Sequence, residues 1–97
     1  MQIMLKKFGT TLTSRQLGKE AFAVLKLQLA DLSDNEKLEI DFKGVNTFSP
    51  SWGDEFLTPL ADAYGDRVVL INTQNLSVKA TLKLLENINK KSFVVVS

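Results

Sequence analysis

The sequence predicts a small α/β domain with a mostly parallel sheet of about four strands. The chain has 97 residues, which is the size of a single domain. Short apolar runs alternate with segments whose apolar residues recur at helical spacing. The resulting order is strand, helix, strand, helix, strand, helix, strand, which is typical of parallel sheets with right-handed crossovers. No internal repeat or linker interrupts that order, so we expect one domain over residues 1–97.

The first part of the chain predicts two strands separated by a helix. Residues 2–9, QIMLKKFG, read as a short strand, and residues 37–42, KLEIDF, alternate apolar and acidic side chains as a second strand. The helix between them is expected over residues 14–32. Thr13 and Gln16, three residues apart, fit a capping box at its start.

The second helix has well-marked boundaries. Residues 43–48, KGVNTF, form a loop with room for one more extended pair. Ser49 suits the N-cap and Pro50 the first helical position, because proline has a fixed φ and no N–H to leave unpaired. The helix runs to about Tyr64 and ends at Gly65. Helical spacing gives it an apolar face of Trp52, Phe56, Leu57, Leu60 and Tyr64 toward the core, and an opposite polar stripe of Ser51, Asp54, Glu55, Thr58 and Asp62.

The last third of the chain predicts a strand, a helix and a final strand. Residues 67–72, RVVLIN, and residues 92–97, SFVVVS, are rich in β-branched side chains and read as strands. Residues 73–91 read as the third helix. Its apolar residues form a stripe at four-residue spacing that is joined on its flank by Val78, Leu82 and Leu85; the stripe consists of Leu76, Ala80, Leu84 and Ile88.

Composition argues against several functional classes. The chain has no cysteine and no histidine, which excludes disulfides, thiolate nucleophiles and Cys/His metal sites. No base–nucleophile pair is visible, so we expect a protein that is not an enzyme and needs no metal or cofactor. The net charge of +1 argues against a strong general attraction to nucleic acid or acidic membranes. Without a long apolar run or a signal-peptide pattern, a cytoplasmic location is expected.

One group of polar residues predicts a small-ligand or phosphate site. Asp41 and Asn72 lie near the ends of two predicted parallel strands, and ligands bind at that edge of α/β sheets. Arg15 lies at the start of the first helix, where backbone N–H groups can bind an anion. Neither common glycine-rich phosphate motif is present. For Asp41 itself, the role that we favour is to hold the turn at Gly44 through hydrogen bonds to the backbone.

Two motifs carry a resemblance to a known family. The stretch IDFKGVNTFSPSWGDEFL, residues 40–57, resembles the signature of the STAS-like family DUF4325, in which an acid-bearing strand, a GV turn and an SPSFADEF-like helix start follow one another. Upstream, FGTTLTSRQLG at residues 8–18 is also similar to that family. More distantly, the chain is similar to STAS anti-sigma-factor antagonists. The resemblance implies a STAS-like fold with the helices mainly on one side of the sheet.

The resemblance to STAS antagonists also implies a partner and a switch. In those domains a D-S-S-G-L turn opens a helix, and a partner kinase of the histidine-kinase-like ATPase type phosphorylates its second serine. The alignment puts Ser51 at that position. This chain departs from the pattern, with Ser49 for the aspartate, Pro50 for the first serine and Trp52 for the glycine.

Together with this resemblance, the sequence predicts a bacterial regulatory protein-interaction module. The resemblance implies that it docks a kinase-like ATPase or an anti-sigma-type regulator, with Ser51 as the candidate phosphorylation site. The predicted contact residues lie around the start of the second helix: Ser49, Ser51, Asp54, Glu55 and Thr58. The rival prediction is a domain that binds a small ligand, a phosphate or a nucleotide through Arg15, Asp41 and Asn72.

Overall fold

The computed structural model describes residues 1–96, which contain three helices, six short strands and two 3₁₀ turns. The helices are α1 (Arg15–Leu29), α2 (Pro50–Tyr64) and α3 (Leu76–Asn89). The strands are β1 (Gln2–Met4), β2 (Thr11–Leu12), β3 (Leu38–Asp41), β4 (Thr47–Phe48), β5 (Val68–Ile71) and β6 (Val94–Val96). The 3₁₀ turns span Leu5–Phe8 and Gly65–Arg67. The predicted last strand included Ser97, which lies outside the described residues.

Four strands form the main sheet, in the order β1, β3, β5, β6, and every neighbouring pair is parallel. Ile3 lies beside Ile40, and Ile40 beside Leu70, so these three buried side chains share one face of the sheet. Each connection moves the chain one strand in the same direction. Right-handed crossovers of this kind place all three helices on one face. The predicted α/β fold with a mostly parallel four-stranded sheet and three helices is confirmed.

A second, two-stranded sheet was largely missed by the sequence analysis. β2 pairs with β4 in parallel, with Thr11 beside Thr47 and Leu12 beside Phe48. The extended pair in the loop before α2 was anticipated, but its partner strand was read as a turn. Two-residue strands are too short to show a periodic pattern, so pairing is visible only once the chain is folded.

The first predicted strand is shorter than expected. β1 ends at Met4, and the chain continues as a 3₁₀ turn over Leu5–Phe8. Residues three apart lie on the same side of a 3₁₀ turn, which lets both Leu5 and Phe8 face inward. Leu5 is fully buried, and the ring of Phe8 packs against those of Trp52 and Phe56.

Helix α3 packs through the flank of its predicted apolar stripe. Val78, Leu82 and Leu85 are buried together with Thr81, whereas the stripe from Leu76 to Ile88 faces solvent. Hydrogen bonds to the backbone of Phe48 help to fix this orientation. The Ser77 hydroxyl accepts a hydrogen bond from the Phe48 backbone N–H at 2.9 Å, and the Thr81 hydroxyl donates one to the Phe48 carbonyl. Backbone groups left unpaired at a buried position are costly, and these contacts turn the hydroxyl-bearing side of α3 inward.

The two helices α1 and α2 approach each other closely at Gly18. A Cβ atom added there would lie 2.6 Å from the Trp52 carbonyl oxygen and 3.0 Å from the Trp52 Cα. Trp52 is buried, stacks on Phe56 with ring centroids 4.8 Å apart and meets Phe48 edge to face at 5.9 Å. The absence of a side chain at Gly18 therefore lets α1 lie against the backbone of α2. The predicted packing of Trp52 in the core is confirmed.

Within residues 1–96, no helix combines the length and the apolar character that crossing a membrane requires.

We predict that Gly18→Ala destabilises the fold. In an ordinary helix interior this change stabilises by about 1 kcal/mol, because alanine has the higher helix propensity. At Gly18 the steric cost of overpacking, about 1–3 kcal/mol, opposes that gain. Urea denaturation should show a lower free energy of unfolding for the variant. Ala23→Gly, at an exposed site of the same helix, calibrates the propensity effect alone. A Gly18→Ala protein more stable than the wild type, by the amount that Ala23→Gly loses, would contradict the close approach.

Candidate functional site

The starts of α1 and α2 lie side by side, held together by the chain segments that lead into them. Beyond the β2–β4 pair, the Ser49 backbone N–H donates to the Leu12 carbonyl at 2.9 Å. The Ser49 hydroxyl donates to the Thr13 carbonyl, also at 2.9 Å. Two helix N-termini, each with a partial positive charge, therefore share one region of the surface.

Each of the two helices is capped by a serine. Ser14 accepts a hydrogen bond from the Leu17 backbone N–H at 3.2 Å, and Ser49 accepts one from the Trp52 backbone N–H at 3.3 Å. The Ser49 cap was predicted and is confirmed. The predicted capping box with Thr13 and Gln16 is wrong. The cap lies one residue later in the chain, and the Gln16 amide donates to Glu20 instead.

Ser51 differs from Ser49 in what its hydroxyl does. Pro50 and Ser51 occupy the first two positions of α2. The Ser51 side chain is half-buried, and its hydroxyl makes no hydrogen bond to any other residue in the part of the chain that the structure describes. Ser49 thus has two structural partners for its hydroxyl, whereas Ser51 has a hydroxyl that the fold does not use.

The acidic residues of the polar stripe of α2, called the acidic stripe below, begin one turn after Ser51. An arginine from α1 binds the first two of them. Arg15 Nη1 lies 2.9 Å from Glu55 Oε1 and 3.3 Å from Asp54 Oδ2. The hydrogen bonds to Glu55 and then Asp54 raise the pKa of Arg15 above its ordinary value. The Thr58 hydroxyl donates to Asp54 Oδ1 at 3.0 Å. The predicted contact residues Asp54, Glu55 and Thr58 are therefore one connected polar group that includes Arg15.

The role of Arg15 was not found from the sequence. Arg15 was grouped there with Asp41 and Asn72 as a ligand-binding residue, and the structure gives it partners on α2 instead. A single arginine at the start of one helix and adjacent acids in the first turns of the next were the available signal. Only the side-by-side arrangement of the two helix starts brings them together. At the far end of the stripe, Asp62 pairs with Lys91.

Asp41 and Asn72 do come together at the ends of neighbouring strands. The Asn72 amide donates to Asp41 Oδ1 at 2.8 Å, and the Lys43 backbone N–H donates to the same oxygen at 2.8 Å. The Gln2 amide donates to Asp41 Oδ2 at 3.1 Å. The hydrogen bond to Lys43 confirms that Asp41 holds the turn that contains Gly44. Asn72 takes a φ of +57°, a left-handed conformation that asparagine tolerates.

The hydrogen bonds to Asp41 also determine its charge state. Burial acts to raise the pKa of this carboxyl, but the hydrogen bonds from Asn72, Lys43 and Gln2 outweigh burial and lower the pKa below its ordinary value. Asp41 is therefore a buried, ionised side chain with a partner for each oxygen. Whether the Asp41–Asn72 pair also binds a ligand stays a prediction.

Comparison with known families decides where this chain belongs. A family model described as a STAS-like domain of unknown function, DUF4325, matches residues 20–78. That match covers more than half of the chain. The chain belongs to the DUF4325 family. Of the two motifs that carried the resemblance, residues 40–57 lie inside the matched span and residues 8–18 lie outside it. No curated protein and no solved structure matches the chain significantly.

The matched span of the STAS-like domain contains most of the candidate residues. It includes all of α2 with Ser49 and Ser51, the acidic stripe, and the Asp41–Asn72 pair. Arg15 precedes the span, so its ion pairs with Asp54 and Glu55 join a residue outside the match to two residues within it. Among residues 1–96 no group of three or more carboxylates lies close enough together to hold a metal ion.

We predict that Asp41→Asn reduces stability in a pH-dependent manner. Because folding lowers the pKa of Asp41, its contribution to stability is complete above the ordinary aspartate pKa of about 3.9 and is lost as the pH falls through the lower folded value. At neutral pH the free energy of unfolding of the variant should be about 1–3 kcal/mol lower than that of the wild type, since hydrogen bonds to a charged group are lost. The difference should narrow between about pH 5 and pH 2 in urea denaturation.

Glu39→Gln is the matched control for Asp41→Asn, because Glu39 lies on the same strand and is exposed. It should keep the pH dependence of the wild type. A constant difference between Asp41→Asn and wild type at every pH would show that the Asp41 charge has no role in stability.

Proposed function

We propose that this STAS-like domain is a cytoplasmic, non-enzymatic regulatory module of bacteria that works by binding another protein. Its partner would be a kinase-like ATPase or an anti-sigma-type regulator, as for anti-sigma-factor antagonists. The docking surface would consist of the loop before α2 and the polar face of that helix. Phosphorylation of Ser51 would switch the interaction.

One observation carries this proposal: the two serines at the start of α2 have separate roles. The hydroxyl of Ser49 caps α2 and binds the Thr13 carbonyl. The hydroxyl of Ser51 has no partner among the described residues and is half-buried rather than enclosed. A modification at Ser51 therefore does not break a hydrogen bond that the fold needs, whereas one at Ser49 removes the hydrogen bond that its hydroxyl donates to the Thr13 carbonyl. This supports Ser51 as the position that a partner enzyme modifies.

The charges around Ser51 give the proposed switch a physical mechanism. A phosphate adds about 1.5–2 negative charges at neutral pH. The N-terminus of α2 attracts that charge, while Asp54 and Glu55 one turn later repel it. Arg15 already binds both acids. A phosphate at Ser51 would add its negative charge to this face and leave it more acidic.

The polar face of α2 also favours a partner with a basic surface. Asp54, Glu55 and Thr58 are partly accessible and lie on consecutive turns. Electrostatic complementarity of this kind mainly sets the rate of association and the choice of partner. The Arg15 ion pairs are largely exposed, so exchanging them for contacts to a partner costs little stability.

The rival proposal is a domain that binds a small ligand, a phosphate or a nucleotide. The contact between Asp41 and Asn72 at the strand ends favours it, since that edge binds ligands in other parallel sheets. Both oxygens of Asp41 already accept hydrogen bonds from the chain itself, and Arg15 binds α2. A nucleotide that raised the melting temperature of the wild type but not of Asn72→Ala would favour this rival.

We predict that changes on the α2 face alter partner binding. The test measures how much of a kinase-like ATPase from the same organism is retained by the wild type and by the variants Ser51→Asp and Glu55→Lys. Reversing or adding charge on the docking face should change the dissociation constant by about tenfold or more, which corresponds to about 1.4 kcal/mol. Ser33→Asp and Glu39→Lys make the same kinds of change at exposed sites away from α2 and should leave binding unchanged.

Two outcomes separate the parts of this proposal. Equal retention of the ATPase by all five proteins would rule out the α2 docking face. Incubation with ATP and the ATPase, followed by mass spectrometry, tests the switch on its own. If no phosphate is found on Ser51 while binding still depends on Glu55, the docking face is supported and the phosphorylation switch is ruled out.

A further inference from the structure

The outward side of α3 carries a continuous ladder of apolar side chains. Leu76, Leu84 and Ile88 are 82%, 43% and 62% exposed, and Ala80 between them is also exposed. The ladder runs at steps of four residues from Leu76 to Ile88. At 1.5 Å per residue that is about 18 Å, or a little over three helical turns. Single exposed apolar residues are ordinary, but a ladder of this length on one helix points to an interaction surface.

Lysine side chains flank the apolar ladder on one side. Lys79 and Lys83 are exposed, lie one turn apart on α3, and form no ion pair within residues 1–96. Glu86 is the one acid in α3, and its carboxylate accepts a hydrogen bond from the Phe93 backbone N–H at 2.7 Å. The outward face of α3 thus combines the apolar ladder with two exposed lysines that have no ion-pair partner in this part of the chain, although Glu86 lies three residues after Lys83.

We propose that the outward face of α3 binds an amphipathic, acidic helix of a partner protein. The apolar side chains of that helix would cover the ladder of Leu76, Ala80, Leu84 and Ile88, and its flanking carboxylates would pair with Lys79 and Lys83. An amphipathic helix presents apolar residues at steps of three and four, which matches the spacing of the ladder. This surface lies on a different helix from the α2 docking face, and the inference does not depend on the proposed function.

Charge distinguishes this occupant from two others. A second copy of the chain would bring Lys79 and Lys83 of both copies to one interface, and like charges oppose that association. Two lysines and four apolar side chains would be only a weak anchor on an anionic lipid surface. An acidic helix of a protein satisfies both halves of the face at once.

The exposed side of α1 is a less favourable site for the same partner. It also has exposed apolar residues, among them Leu17, Val24 and Leu27. Acidic and basic side chains are mixed there, however, since Lys19 and Lys26 share the exposed surface with Glu20. Substitutions of exposed leucine and lysine on α1 are therefore matched controls, and the proposal expects them to leave binding of the helix unchanged.

The test uses two synthetic helical peptides with the same leucine spacing. One carries glutamates beside the leucines and the other carries lysines. Fluorescence anisotropy with the full chain should show that the glutamate peptide binds and that salt weakens its binding, while the lysine peptide binds at least about tenfold more weakly. The double variant Lys79→Glu/Lys83→Glu should reverse that preference. Leu76→Ser should weaken the binding of the glutamate peptide about tenfold, because it removes apolar surface that the peptide would cover.

The control variants are Leu27→Ser and Lys19→Glu/Lys26→Glu on α1, which should bind the glutamate peptide as the wild type does. Circular dichroism and urea denaturation should show that every variant is folded, as expected for substitutions at exposed sites. Equal affinity for the two peptides, or binding that is unchanged in the α3 variants, would overturn the proposal. So would binding of the wild type to phosphatidylglycerol vesicles in preference to the peptide, or a dimer in sedimentation that Leu76→Ser abolishes.

Discussion

The close contact between Gly18 of α1 and Trp52 of α2 is the constraint on which the candidate site depends. Because Gly18 has no side chain, α1 can lie against the Trp52 carbonyl, at a distance that a Cβ atom would prevent. The contact fixes the two helices at their starts, where the β2–β4 pair and the Ser49 hydroxyl also join them. Arg15 thereby comes within hydrogen-bonding distance of Asp54 and Glu55. A shift between the helices would separate all of these groups together.

The same arrangement gives neighbouring residues of one short stretch different physical roles. Pro50 and Ser49 start α2, and Trp52 lies in the aromatic core with Phe48 and Phe56. Ser51, between them, contributes no hydrogen bond to the described fold. The ion pairs beyond it are exposed, so they contribute little to stability. Their main effect is on the charge that the helix presents.

The sequence was most informative where local chemistry decides the structure. Ser49, Pro50 and Gly65 marked α2 because capping and fixed φ values are properties of single residues, and the apolar face containing Trp52 followed from periodicity. Periodicity was only partly informative for α3. The stripe from Leu76 to Ile88 faces solvent and its flank of Val78, Leu82 and Leu85 faces the core. Ser77 and Thr81, on that inward side, bind the backbone of Phe48. Those contacts are with another part of the chain and leave no mark on the helix itself.

The residues of the candidate site also differ in whether local sequence could predict them. Ser51 and the acidic stripe could be predicted, because both follow from helical spacing after a recognisable start. The partner of Arg15 could not, since its contact with Glu55 spans forty residues of sequence and depends on how two helices pack. The Asp41–Asn72 pair could be anticipated from the rule that parallel strands end at one edge of the sheet. That hydrogen bonds from the chain itself occupy both oxygens of Asp41 could not be anticipated.

The measurement that tests this account most directly compares Ser49→Ala with Ser51→Ala by equilibrium urea denaturation. The two serines are two residues apart and undergo the same chemical change. Ser49→Ala should lower the free energy of unfolding by about 1–2 kcal/mol, because it removes a helix cap and the hydrogen bond to Thr13. Ser51→Ala should change it by less than about 0.5 kcal/mol, as expected for a hydroxyl that the fold does not use. If Ser51→Ala destabilised the protein as much as Ser49→Ala, Ser51 would be part of the fold and its proposed freedom to act as a switch would be contradicted.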